Sequence, residues 1–234
     1  MIDDVKNAWA AASKDKPVDL LLFTVGFSEY TNQTFFLFFV FLFISILAGS
    51  PKFHPMKGMV MTPHNLVTQC LLNVLCEMPK TNPLPKVITL STAGVSPTSR
   101  SQLPCPLKIM YGYMIRSPIN DKLGTERVIY HCAGWNWNPK DGEPDDDMMG
   151  QGWRERQGLP GSGQLKNAMV LRPALLNDGE CVADSGKDGR PYKLGDGGEY
   201  KGWSVSRKDV AHFIFDAVTN HWDEYGNKQV SIAY

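Results

Sequence analysis

Several features are scarce in this chain of 234 residues, and each scarcity removes a class of function. Net charge is absent. The 24 Lys plus Arg balance the 24 Asp plus Glu, so no broad field draws nucleic acid or an anionic membrane surface. Cysteine is sparse and unpaired in pattern: Cys70, Cys76, Cys105, Cys132 and Cys181 are odd in number and contain no Cys-x-x-Cys. They read as reduced thiols of a cytoplasmic protein, most of them core filler. His54, His64, His131, His212 and His221 lack metal-ligand spacing, so no metal is expected. The amino terminus, Met-Ile-Asp-Asp-Val-Lys, has neither the basic nor the apolar region of a signal peptide, and secretion is not expected.

One apolar run stands out against this background. Phe35 to Ala48 carries no charge over fourteen residues, short of the roughly 20 that a membrane helix needs, and only Lys52 flanks it. Three readings are open: a buried segment, a membrane tether, or a retained intron translated in frame between about Phe27 and Gly49. On the last two readings, residues 27–49 are an insertion into the domain.

The rest of the chain alternates. Val5, Ala8, Trp9 and Ala12 share a helical face after Asp3 or Asp4. Val18 to Val25, closed by Gly26, is a continuous apolar run, as a parallel strand covered on both faces would be. Thr62-Pro63 reads as a helix start, since Thr caps and Pro suits the first helical position; Leu66, Val67, Cys70, Leu71, Val74, Leu75 and Met78 follow. Lys86 to Leu90 is a second buried strand, breaking into Ser91, Thr92 and Gly94. In open α/β sheets, ligands bind where the chain leaves the carboxyl end of a strand. Leu107 to Arg116 and Asn120 to Ala133 read as one helix interrupted at Pro118 or two in succession, closed by Gly134. A strand at Ala168 to Leu171 ends in Arg172-Pro173, Ser206 and Asp209 form a capping box, and Lys228 to Ile232 is a last strand. Residues 138–166 and 178–202, rich in Gly and charge, read as surface excursions. The alternation predicts a single α/β domain with a parallel sheet.

Lys122 with Glu126, Trp135-Asn-Trp137, Arg172-Pro173 and the segment from Val205 to Ile214, in this order, resemble the atypical short-chain dehydrogenase/reductases, especially their NmrA-like NAD(P)-binding branch. The resemblance implies a Rossmann-like doubly wound sheet, here partial and lacking its first strands, with Met1 falling after the family's third strand. That register would leave Val18 to Val25 as a long apolar edge. It implies NADP or NAD as cofactor and a small molecule as partner. Gly26, Ser91, Lys122, Arg172 and Pro173 would line the cofactor, and Ser91, Thr92, Tyr113 and Lys122 would stand at the catalytic positions.

Two departures from the family pattern follow. No Gly-rich fingerprint follows a strand: Gly150-Gln-Gly152, Gly161-Ser-Gly163 and Gly195 to Gly198 all lie in polar stretches. The family's Tyr and Lys stand four apart on one helical face. Here Tyr111 and Tyr113 are followed four residues later by Ile115 and Ser117. Other roles remain open for the same residues. Lys122 would pair with Glu126 at the surface, Ser91 and Thr92 would only shape a turn, Arg172 would cap or pair with Asp178, and Asp209 would cap its own helix. The function expected is that of an oxidoreductase or redox sensor with an impaired cofactor site. The alternatives are a non-enzymatic interaction protein or the non-functional product of an incomplete gene model, with or without a membrane tether through residues 35–48.

Overall fold

A computed structural model describes residues 2–25, 42–44, 52–54, 58–60, 62–103, 105, 108, 112, 115–185, 191–196 and 202–234. In chain order the elements begin with helix α1 (Ile2–Ala12), strand β1 (Leu20–Phe23) and the short strands β2 (Leu42–Ile44), β3 (Lys52–His54) and β4 (Gly58–Val60). Helix α2 (Leu66–Cys76), strand β5 (Lys86–Leu90), helix α3 (Pro97–Ser101) and helix α4 (Arg116–Ala133) follow, then the helical turn α5 (Asp146–Met149). The last third holds β6 (Ala168–Pro173), β7 (Leu175–Asn177), β8 (Lys193–Asp196), β9 (Ser204–Ser206), α6 (Arg207–Thr219), α7 (Trp222–Tyr225) and β10 (Lys228–Ala233).

The main sheet has the order β2-β1-β5-β6-β10-β8. From β1 through β10 each strand is parallel to its neighbour, in register Leu20↔Lys86, Val87↔Ala168 and Lys228↔Met169. This one-directional run is what one half of a doubly wound sheet looks like, and the fold is Rossmann-like α/β. The outermost strand β8 runs antiparallel to β10, with Val230 opposite Asp196, so the sheet is not wholly parallel. Beside it, β3 and β4 form an antiparallel pair, and β7 and β9 a parallel one.

Both faces of the sheet are covered, which is why its strands are apolar without alternation. Every residue of β1 and of β6 is buried. On one face Leu21, Phe23, Val87 and Val170 meet α1, α2 and α4 through Trp9, Leu71, Leu75, Val128 and Ile129. On the other, Leu22, Ile88, Met169 and Val230 meet α6 through Val210, Phe213 and Ala217. The Trp9 indole also donates to Val74 O at 3.1 Å, tying α1 to α2.

Four expectations need correction. The strand at Val18 to Val25 is not an edge, because β2 pairs with it in parallel from Leu21↔Leu42 to Phe23↔Ile44. Those three residues come from the apolar run at Phe35 to Ala48; the remainder of that run lies outside the described residues, as do the membrane and intron readings of it. Among the described residues no helix is long and apolar enough to cross a membrane.

Helix α2 starts at Leu66 rather than at Thr62-Pro63, and its first amides are capped from another helix. Asp121 on α4 accepts from Val67 N and Thr68 N, both at 2.8 Å. Pro118 does not break α4. It sits in the first helical turn, where an N–H would lack an intrahelical acceptor in any case. Gly134 closes this helix in the left-handed conformation (φ 72°), as the sequence suggests.

Finally, residues 138–166 are not a solvated excursion throughout, since Met148, Met149, Trp153 and Leu165 are buried. The backbone oxygens of Met148 and Met149 accept from Gln69 Nε2 at 2.9 and 3.1 Å, stitching this segment to α2.

Candidate functional site

The strands part at their carboxyl ends in a way the registers make explicit. Strands β1 and β5 stay paired to Phe23↔Thr89 and no further. Strands β5 and β6 remain joined beyond that point: Leu90 pairs with Leu171, Ser91 N donates to Leu171 O at 2.8 Å, and Ala93 N donates to Pro173 O at 2.9 Å. The β1–β5 ladder therefore stops short of the β5–β6 ladder, at the strand ends where the rule for α/β sheets puts a ligand crevice.

Lys122 bridges these strand ends. Its ammonium donates to Val25 O, two residues past the last paired residue of β1, at 2.5 Å, and to Leu90 O, one past that of β5, at 2.7 Å. Burial drives its pKa down to about 8, against the opposing pull of the Asp121 and Glu126 carboxylates. An ammonium carries three donors, so among the described residues one N–H remains beyond these two bonds.

Ser91 follows Leu90 directly, and it is 6% exposed. Among the described residues its hydroxyl has no hydrogen-bond partner, as is also true of buried Thr89 Oγ1 one turn of the pleat earlier. The contrast with the next hydroxyls is sharp. Ser96 Oγ accepts from Ser99 N, and Ser99 Oγ accepts from Gly94 N at 2.6 Å. Thr98 is bonded through both N and Oγ1 to Asp141. Gly94 (φ 75°) makes the turn that this network closes. An unmade hydrogen bond on a buried hydroxyl costs about 1–3 kcal/mol.

Arg172 and Glu126 close the floor. Period-two alternation puts Thr89, Ser91 and Arg172 on the sheet face that α4 covers. The Arg172 guanidinium donates Nε to Glu126 Oε1 at 2.8 Å and Nη2 to Oε2 at 2.5 Å, with both side chains buried. This pairing corrects two alternatives. Glu126 belongs to Arg172, while Lys122 donates to two carbonyls; and Asp178 pairs instead with Arg207, at 2.6 Å.

Of the other residues singled out in the sequence, Thr92 Oγ1 is half-buried and donates to its neighbour's oxygen, Ala93 O, at 3.2 Å. Pro173 ends β6 beside the cleft. Gly26 and Tyr113 lie outside the described residues. Gly150, Gly152, Gly161 and Gly163 sit in the turns around Trp153 and follow no strand, so they make no phosphate cradle there. Asp209 lies elsewhere, at the start of α6. Burial would raise its pKa, but donors from Tyr234 Oη, Ala183 N, Ser206 Oγ and Val182 N outweigh that and hold it at about 2. Among the described residues no cluster of His, Cys, Asp and Glu could hold a metal ion.

What sequence reasoning missed is the carbonyl pair at Val25 and Leu90, since backbone acceptors leave no trace in residue type. It also missed the Glu126–Arg172 pair. The four-residue spacing of Lys122 and Glu126 does put both on one helical face, but that spacing does not reveal that the face looks onto a sheet. A cavity of about 310 Å³ lies at the opposite, amino end of the sheet, lined by Leu75, Met78, Lys80, Leu84, Leu159 and Gln164 among others. It contains none of the residues above.

No family model matches the sequence. A reductase of Aspergillus terreus, named pytE, is 31% identical over 157 residues, which cover 66% of this chain and 50% of the relative. This likeness to a reductase agrees with the resemblance to the atypical short-chain dehydrogenase/reductases. The chain spans about half the length of the curated relative it matches. Among solved structures, ChuY, an anaerobillin reductase from Escherichia coli O157:H7, is 15% identical with a TM-score of 0.49, covering 99% of this chain and 71% of that one. A wide-type short-chain dehydrogenase/reductase of Veillonella parvula, solved in complex with NADP, is 15% identical with a TM-score of 0.44, covering 71% and 58%.

Proposed function

We propose that this short-chain dehydrogenase/reductase relative is of the NmrA-like type and binds a nicotinamide dinucleotide, NADP or NAD, in the cleft between β1 and β5. The observation that carries the reading is Ser91, a buried hydroxyl with no partner among the described residues, which follows Leu90, whose carbonyl accepts from an ammonium with a third N–H beyond its two bonds. Together they offer a donor and an acceptor to a ligand hydroxyl at the carboxyl ends of parallel strands. Kinship with a reductase agrees with that ligand class.

The same residues argue for an impaired site. The described residues supply no Gly-rich turn for a pyrophosphate, so affinity rests on the ribose and nicotinamide half. We place the protein in the cytoplasm, in line with its five free cysteines.

Titration with NADPH and NADH, followed by calorimetry, tests the reading. Wild type binds one of them, and Ser91→Ala weakens binding roughly tenfold, the value of one hydrogen bond of about 1.4 kcal/mol. Absence of binding by wild type at millimolar ligand would overturn it.

A second reading, cofactor sensing without turnover, is favoured by one feature. The position four residues before Lys122 is Pro118, so that face of α4 carries no Tyr to act as proton donor. NADPH that binds but is not oxidised in the presence of aldehydes, ketones and quinones would select this reading over reduction.

A further inference from the structure

The hydrogen bonds of Lys122 point to a role beyond ligand contact. Val25 O and Leu90 O lie past the end of the β1–β5 ladder, and one ammonium takes both. The helix that carries it is held on both sides. The preceding residue, Asp121, is fixed by the amides of Val67 and Thr68, and Glu126, one turn later, is fixed by Arg172. The ammonium therefore hangs from a rigid support and cannot follow the strands if they move apart.

We propose that Lys122 is a positioning residue whose ammonium bridges β1 and β5 where their ladder stops, setting the width of the cleft and the place of Ser91. The carbonyl of Leu90 and the nitrogen of Ser91 belong to one peptide group, so fixing the first fixes the second. Without the cation, two carbonyl dipoles at the mouth of the cleft lose their shared donor, and the strand ends separate. The effect on ligand binding rests on the cofactor reading above; the bridge itself does not.

Amide hydrogen exchange on the full chain tests it, with wild type, Lys122→Met, which keeps an unbranched stem, and Lys122→Arg, which keeps two donors and the charge. In Lys122→Met the amides of Phe23, Thr24, Leu90 and Ser91 lose at least tenfold in protection, while that of Val87, bonded to Asn167 O at 2.7 Å, is unchanged. Lys122→Arg retains most of the protection. NADPH affinity falls at least tenfold with Met and less with Arg. Unchanged protection at Leu90 and Ser91 in Lys122→Met would overturn the bridge, as would equal losses at Val87, which would mean general destabilisation. Should Met at this position unfold the chain, Lys122→Gln, which loses the charge and one bond of reach, supplies the same comparison. If wild type does not bind NADPH, the cofactor reading falls, and protection alone decides the bridge.

Discussion

Glu126 on α4 and Arg172 on β6 form a bidentate ion pair, 2.8 and 2.5 Å long, in which both side chains are buried. Removing one partner leaves the other charged, buried and uncompensated. Glu126→Gln or Arg172→Met is therefore expected to cost about 3–5 kcal/mol of stability, while Glu126→Leu combined with Arg172→Met recovers most of the loss. Urea denaturation of the two single variants and the double variant measures this.

The Asp209 carboxylate gives a pH dependence of definite sign. Its pKa in the folded chain is about 2, below the ordinary 3.8. The stability it supplies is fully present above pH 3.8 and is lost as pH falls through about 2. Asp209→Asn should flatten the unfolding free energy between these values, read by denaturant titration at pH 4, 3 and 2.5. It should also loosen Val182 and Ala183, whose amides the carboxylate holds.

Lys122 shifts stability with the same sign, for a different reason. Its folded pKa, about 8, lies below the ordinary 10.5 because burial outweighs the attraction of Asp121 and Glu126. Between these pH values the unfolded chain binds the proton and the folded chain does not, so this group adds stability as pH rises from about 8 to 10.5. The difference in unfolding free energy between wild type and Lys122→Met should therefore grow across that window in favour of wild type, even as the bridge loses its charge.

Contact between α2 and α4 is close at one point. A Cβ on Gly124 would stand 2.3 Å from Thr68 Oγ1, a hydroxyl already committed to Asp121 O at 2.7 Å. Gly124→Ala is expected to destabilise by about 1–3 kcal/mol, and Thr68→Ala in the same chain to relieve part of that. Thermal unfolding of the pair checks it.

The parallel strands were legible in the sequence because burial on both faces writes itself as unbroken apolar runs, as at Val18 to Val25 and Ala168 to Leu171. Gly134 was legible too, since a left-handed cap calls for glycine. The start of α2 was not: Asp121, which caps it, comes from 53 and 54 residues further along the chain, and no local signal announces a partner that distant. The edge at β1 was misjudged for a related reason. Pairing with Leu42–Ile44 is a long-range choice, and an apolar run read alone fits a strand, a membrane segment or a translated intron equally. In the candidate site, residue type pointed to Ser91 and Lys122, while their roles depend on which carbonyls and hydroxyls are left unpaired, a property of the packed sheet alone.

Ser91 offers a test in the absence of ligand. If its hydroxyl is a group held in reserve, Ser91→Ala removes a buried unmade hydrogen bond and should stabilise the free chain by about 1 kcal/mol, seen in urea denaturation, even though it weakens binding.

The claim at the centre of this account is that the cleft between β1 and β5 receives the dinucleotide, and backbone amide chemical shifts followed during an NADPH titration test it most directly. The largest shifts are expected at Val25, Ser91, Thr92 and Lys122, with little change at Leu84 and Leu159 by the opposite cavity. Shifts centred on Leu84 and Leu159, or no shifts at saturating NADPH, would contradict it.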